Sequence, residues 1–106
     1  MSHHTVTASD ATSGSRGERL LARGEQVALR VWEHEPAGET SPEHANDYEY
    51  AAYVTEGTLR VRIGEADPVE LGVGDSYVVP AGTPYAFEVV ERATVVEAVA
   101  PASALA

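Results

Sequence analysis

The 106 residues carry 17 acidic side chains against seven basic ones, all of them arginine, for a formal charge of −10, and they include no cysteine. That length provides for one core and one pocket. The charge opposes binding to nucleic acid or an anionic membrane surface, and without thiols neither a disulfide framework nor a thiolate metal site can form.

The opening stretch, residues 1–17, is rich in Ser, Thr, Gly and Ala and has few apolar residues to repay the entropy of ordering, so it is expected to be a flexible arm. His3 and His4 within it are adjacent residues with no further ligand nearby and are read as an ordinary terminus rather than a metal site. No signal-peptide pattern and no apolar run near the roughly 20 residues of a membrane span is present, which points to a cytoplasmic protein without a membrane partner.

From Glu18 to Ala106 the pattern is that of one all-β domain: short apolar runs broken by turn residues every ten or so positions, with no helical period. Strands are predicted at Arg19 to Leu21, Gln26 to Glu33, Glu49 to Thr55, Thr58 to Ile63, Pro68 to Leu71, Ser76 to Val79, Pro84 to Val90 and Ala93 to Val99. Alternation sets Val27, Leu29 and Val31 against Ala28, Arg30 and Trp32, and Leu59, Val61 and Ile63 against Arg60 and Arg62. Glu56-Gly57 reads as a tight turn between two strands, Gly64 to Pro68 as a looser one, and Gly72 with Gly74 flank a third reversal. Glu97 lies inside the apolar run Val95 to Val99, so it either faces solvent or is paired inside the domain.

Two spacings stand out. The first is Gly38, five residues, His44, Ala45, Asn46, three residues, Tyr50, six residues, Gly57. The second is Gly74, five residues, Pro80, Ala81, Gly82, two residues, Tyr85. Side chains alternate along an extended chain, so His44, Asn46, Tyr48 and Tyr50 share one face, as do Tyr85, Phe87 and Val89. Trp32 and His34, two apart on the preceding strand, could join the same volume.

In order and separation these spacings resemble the paired motifs of the cupin superfamily, over roughly Gly24 to Pro101. The resemblance implies a double-stranded β-helix, a small jelly-roll barrel, paired as a homodimer through an exposed edge or the apolar side of Gln26 to Trp32. It also implies four metal-ligand positions, of which only His44 keeps the family's residue. Asn46, Tyr50 and Tyr85 occupy the others, and Glu49 is one residue short of the glutamate position, on the opposite face of a strand. The expected cofactor is therefore none, the alternative being a weakly held divalent transition metal on His44 and Glu49.

The leading expectation is a protein that binds a small organic ligand in the barrel, lined by Trp32, His34, His44, Asn46, Tyr48, Tyr50, Tyr85 and Phe87. The alternative is an enzyme. It would be either a metal-free isomerase, epimerase or cyclase using His44 with Tyr50 or Tyr85 as acid and base, or an oxygenase with a reduced ligand set. A filled barrel with a structural or sensory role is the third reading.

Overall fold

A computed structural model describes residues 4–105. Among these residues there are eight strands, β1 (Thr12–Ser13), β2 (Arg19–Arg23), β3 (Ala28–Glu35), β4 (Thr40–His44), β5 (Glu49–Ile63), β6 (Val69–Leu71), β7 (Ser76–Val79) and β8 (Tyr85–Ala100), followed by a 3-10 turn at Ala102–Leu105. All pairings are antiparallel, in the order β1-β2-β3-β8-β5-β6, with β4 added to β8 and β7 to β5. The expected all-β barrel of double-stranded β-helix type is what the chain forms. Among the described residues no helix is long and apolar enough to cross a membrane.

β5 and β8 are the spine. Their first pairing joins Glu49–Val54 to Val95–Ala100, in the half of the barrel that also holds β3 and β7. Their second joins Leu59–Ile63 to Tyr85–Val89, in the half that holds β4 and β6. Between the two, the register shifts and the buried face of β5 changes from even-numbered residues (Tyr50, Ala52, Val54) to odd ones (Leu59, Val61).

Residues 56–57, predicted as a tight turn, are therefore an irregularity inside one 15-residue strand, and the two predicted strands on either side are a single element. The same is true of Pro84 to Val90 and Ala93 to Val99, which merge into the 16-residue β8. Apolar alternation reports which side is dry but not whether the chain reverses, so a bulge and a turn leave similar traces. Two short strands also escaped prediction. β4 contains Pro42, and β1 falls within the segment expected to be an arm, where Thr12 and Ser13 pair with Leu20 and Arg19. His3 lies outside the described residues.

The core is built from the inward faces of β5, β7 and β8, where Val54, Val79, Val89 and Val99 are fully buried. Each such valine contributes about 1.5–3 kcal/mol relative to exposure. The closing turn between β7 and β8 is tied to the segment before β5, because the Gly82 amide donates to the Asn46 carbonyl at 2.7 Å. This contact brings the two motif segments to one end of the barrel.

On β3 the interior is set by Ala28, Arg30 and Trp32, while Val27 and Leu29 face outward, 50 % and 38 % exposed. Leu29 continues across the sheet into Ala98, Ala51 and Val78, one row over four strands.

Gly57 has φ +79°, and a Cβ built there would lie 1.9 Å from the Arg92 carbonyl oxygen. Gly74, at φ +91°, has open space around it. Gly74→Ala is expected to lose about 1–2 kcal/mol from backbone conformation alone. Gly57→Ala, which adds a backbone clash to the same cost, is expected to lose at least about twice that. Urea denaturation of both variants checks the ranking, and equal losses would contradict the account of the β5 bend.

Candidate functional site

The two halves of the barrel enclose a cavity of about 310 Å³. β3 sends in Arg30 and Trp32, β5 Tyr50 and Leu59, β7 Tyr77, and β8 Tyr85, Phe87, Val89, Val95 and Glu97, while His44 and Tyr48 close the motif end. The volume lies at the lower end of the range of small-molecule pockets, and its walls combine aromatic faces with a few polar atoms.

The deepest polar group is Glu97. Its Oε1 accepts from Arg30 Nε at 2.6 Å and from Trp32 Nε1 at 3.0 Å. The side chains of the ion pair are 9 % and 7 % exposed. Burial pushes the Glu97 carboxyl above the usual range, and Arg30 and Trp32 pull it partly back. Burial also works against the Arg30 charge, but Glu97 and the Tyr48 hydroxyl outweigh it and raise the pKa of the guanidinium. The Arg30 guanidinium carbon lies 5.4 Å from the ring centre of Trp32 and 5.8 Å from those of Tyr48 and Tyr50, within cation–π range of all three.

Glu97 is thus paired inside the barrel, which decides the alternative that the sequence left open. Its partner Arg30 was legible only as a polar residue in an alternating strand. Removing either member would strand a buried charge, which costs about 3–5 kcal/mol.

A chain of rings runs from this pair to the motif end. Tyr50 meets Tyr77 edge-on at 6.1 Å and Tyr85 at 5.7 Å, and Tyr85 lies 4.5 Å from the His44 ring. Asn46 Nδ2 donates to the Tyr85 hydroxyl at 3.2 Å. His44 Nδ1 stands 3.1 Å from the Pro42 carbonyl oxygen and 3.4 Å from Ser41 Oγ. A carbonyl can only accept, so Nδ1 carries a proton there, and in the neutral ring Nε2 is the bare nitrogen.

Most of the predicted site residues converge. Trp32, His44, Tyr48, Tyr50, Tyr85 and Phe87 all line the cavity, and Asn46 supports it through Tyr85 while facing an adjoining pocket. His34 does not join them. A register irregularity between Trp32 and Glu35 gives His34 a left-handed φ of 54° and moves the inward position on to Glu35. The His34 ring is exposed and its Nδ1 pairs with Glu56 Oε1 at 2.8 Å on the outer surface. Arg16, Arg30, Glu35, Glu39, Tyr77 and Glu97 line the cavity as well but were not predicted to bind ligand. Strand parity could have found Arg30 and Glu97, since both fall on inward positions.

The donor set does not fit a divalent metal. Of the four positions where the resemblance implies ligands, one offers an imidazole and one an amide engaged with Tyr85. The other two are phenols, of which Tyr50 is driven far from ionisation. Glu49 faces outward and is exposed, with no bulge to rotate it in. Among the described residues no cluster of three His, Asp or Glu could hold a metal ion.

The family model described as "Cupin domain" matches residues 30–99. No curated protein is similar enough in sequence to count as a relative. Among solved structures, the chain is similar to an RmlC-like cupin from Shewanella frigidimarina, at 19 % identity and TM-score 0.82, covering 95 % of this chain and 93 % of that one. It is also similar to KdgF from Halomonas sp., at 18 % identity and TM-score 0.76, covering 92 % and 94 %. An oxalate decarboxylase variant from Bacillus subtilis matches at 20 % identity and TM-score 0.79, covering 97 % of this chain and 30 % of that one. At such identities the likeness concerns the fold alone.

Burial, with Tyr77, Glu97 and Tyr85 nearby, pushes the Tyr50 phenol well above its ordinary value near 10. Above about pH 10 the unfolded chain releases this proton and the folded one keeps it, so stability falls as pH rises, by about 1.4 kcal/mol per pH unit for this group. Urea denaturation of the protein and of Tyr50→Phe at about pH 9 and about pH 11 checks this, because the variant should lose that part of the slope. Parallel slopes would refute it.

Proposed function

Since the chain belongs to the cupin family, we propose that it binds a small organic molecule in the barrel cavity, without a tightly held metal. The observation that carries this reading is the cavity itself, about 310 Å³ walled by five aromatic side chains of β3, β5, β7 and β8 and floored by the Arg30–Glu97 pair. Aromatic faces supply area for a planar or ring-shaped body, and the polar atoms fix its orientation. The metal-free part rests on the donors at the motif positions, of which only His44 is an ordinary ligand for a divalent ion. The charge of −10 further argues against nucleic acid or an anionic membrane surface as a partner.

One observation favours a second reading, a metal-free acid–base enzyme. His44 is oriented by Pro42, and its ring packs on Tyr85, so an imidazole base and a phenol acid border the same space. Isomerisation, epimerisation and cyclisation by proton transfer use such a pair. An oxygenase would need a metal site that these donors do not make.

A thermal-shift screen of sugars, keto acids and aromatic acids, followed by titration of the emission of Trp32, the only tryptophan, tests both readings. A bound compound is expected to lose affinity by about tenfold in Tyr85→Phe, the usual scale for one hydrogen bond in a closed site. If the compound is turned over, His44→Ala should abolish turnover while the circular dichroism spectrum is kept. Elemental analysis of protein purified without a histidine tag should give less than one equivalent of any transition metal. A ligand insensitive to both substitutions would place binding elsewhere, and stoichiometric metal would overturn the metal-free reading.

We also propose a homodimer. The outer row Leu29–Ala98–Ala51–Val78, extended by the half-exposed Tyr53, contains no charge, although the chain carries −10. Two such chains repel except where they meet through an uncharged surface, and this face is one. Light scattering should give twice the chain mass at micromolar concentration, and Leu29→Asp with Val78→Asp should halve it. A monomeric mass for the unmodified protein would refute the proposal.

A further inference from the structure

A second pocket, of about 420 Å³, opens beneath the hairpin that β1 and β2 form, between its tip and the 3-10 turn. It meets the barrel cavity at three residues common to both: Arg16, Arg30 and Tyr48. Arg16 stands at the hairpin tip. The tip is closed by Gly14 N–H to the Glu18 carbonyl at 2.6 Å and Gly17 N–H to the Gly14 carbonyl at 3.3 Å.

The state of the arginines separates Arg16 from the rest. Arg19, Arg30, Arg60, Arg62 and Arg92 each lie within ion-pair distance of a glutamate, and Arg23 donates to the Leu105 carbonyl. Among the described residues the Arg16 guanidinium has no such partner, although the chain holds 17 acidic residues. Only its backbone N–H is engaged, by the buried Glu18 carboxylate at 3.1 Å. Arg30 is anchored through Nε, and its Nη groups find no carboxylate among the described residues.

The acidic groups nearby offset the formal charge of this end but leave the Arg16 guanidinium without a direct partner among the described residues. Glu97 is committed to Arg30 and Trp32, and Glu18 is turned to the backbone of the hairpin tip. Glu35, at the far end of β3 from Arg30, and Glu39, just before β4, line the cavity beside Ala93 and Val89, to which their backbones pair.

We propose that the molecule bound in the cavity carries a carboxylate, held between Arg16 and Arg30 beside the Tyr48 hydroxyl, with its body lying toward Trp32, Tyr50 and Tyr77. The inference rests on the reading of the cavity as a ligand site. A guanidinium fork matches a planar carboxylate, and the Arg16 guanidinium with the Nη groups of Arg30 offers such forks where the two pockets meet. A phosphate monoester, at about −1.5 to −2, would meet more repulsion from the Glu18 and Glu97 carboxylates that line the same space. The hairpin tip thereby becomes part of the binding site, contributing its arginine from the strand pair that roofs the barrel. A protein of charge −10 has no general affinity for anions, so a preference for an acid over its neutral analogue reports this local recognition.

The test is a titration of Trp32 emission with benzoate, benzamide and phenyl phosphate, in the unmodified protein and in Arg16→Gln, whose fold is verified by its melting temperature. Benzoate is expected to bind at least about tenfold tighter than benzamide, and Arg16→Gln is expected to remove most of that preference. Equal affinity for benzoate and benzamide, a preference untouched by Arg16→Gln, or tighter binding of phenyl phosphate would overturn the carboxylate assignment while leaving the cavity a ligand site. A flat response to all three compounds at millimolar concentration would overturn the cavity reading, and this inference with it.

Discussion

The cavity exists because β5 and β8 pass unbroken from one half of the barrel to the other, and that passage depends on the backbone at Gly57. Along β5 the inward side chains are Tyr50, Ala52 and Val54 before the bend and Leu59 and Val61 after it. Without the change of parity the second half of the strand would turn Arg60 and Arg62 into the core. A left-handed residue with no side chain, pressed against the Arg92 carbonyl, absorbs the shift. Outside, Arg60 then meets Glu70 and Glu88, and Arg62 meets Glu43, exposed pairs worth about 0–1 kcal/mol each. Inside, one face of a single strand delivers both the Tyr50 phenol and the aliphatic wall at Leu59.

Within that frame the Arg30–Glu97 pair has an uncommon position. Two charges are withdrawn from water where apolar side chains could have packed, and such pairs contribute little net stability compared with an apolar replacement. What the pair does supply is orientation. It fixes the Trp32 indole through Glu97 and holds the guanidinium against three aromatic rings. The polar centre of the cavity is thereby arranged before any ligand arrives, which reduces the ordering that binding would demand.

Much of this was legible in the sequence, for reasons that can be named. The glycine and proline spacings resemble the paired cupin motifs, and that resemblance, taken with strand alternation, implied the barrel and the meeting of His44, Tyr50 and Tyr85. Period-two alternation placed Tyr48 and Phe87 correctly. It failed at His34, where a bulge moves the inward position by one, and at Gly57, where a bend inside a strand looks like a reversal. Arg30 was hidden by its own chemistry. A charged side chain in an alternating strand is assigned to water unless its partner is known, and that partner lies 67 residues away.

The same separation bears on how the molecule is put together. The hairpin that roofs the cavity and the strand β3 beneath it precede almost all of the barrel in chain order, yet β3 finds its neighbour only in β8. During synthesis Arg30 waits, unpaired and hydrated, until Glu97 has been made. Pairings so distant in sequence close slowly, since chain entropy is lost before contacts repay it. The roof is thus made before β8, the strand on which its neighbour β3 is seated and which supplies the Glu97 floor.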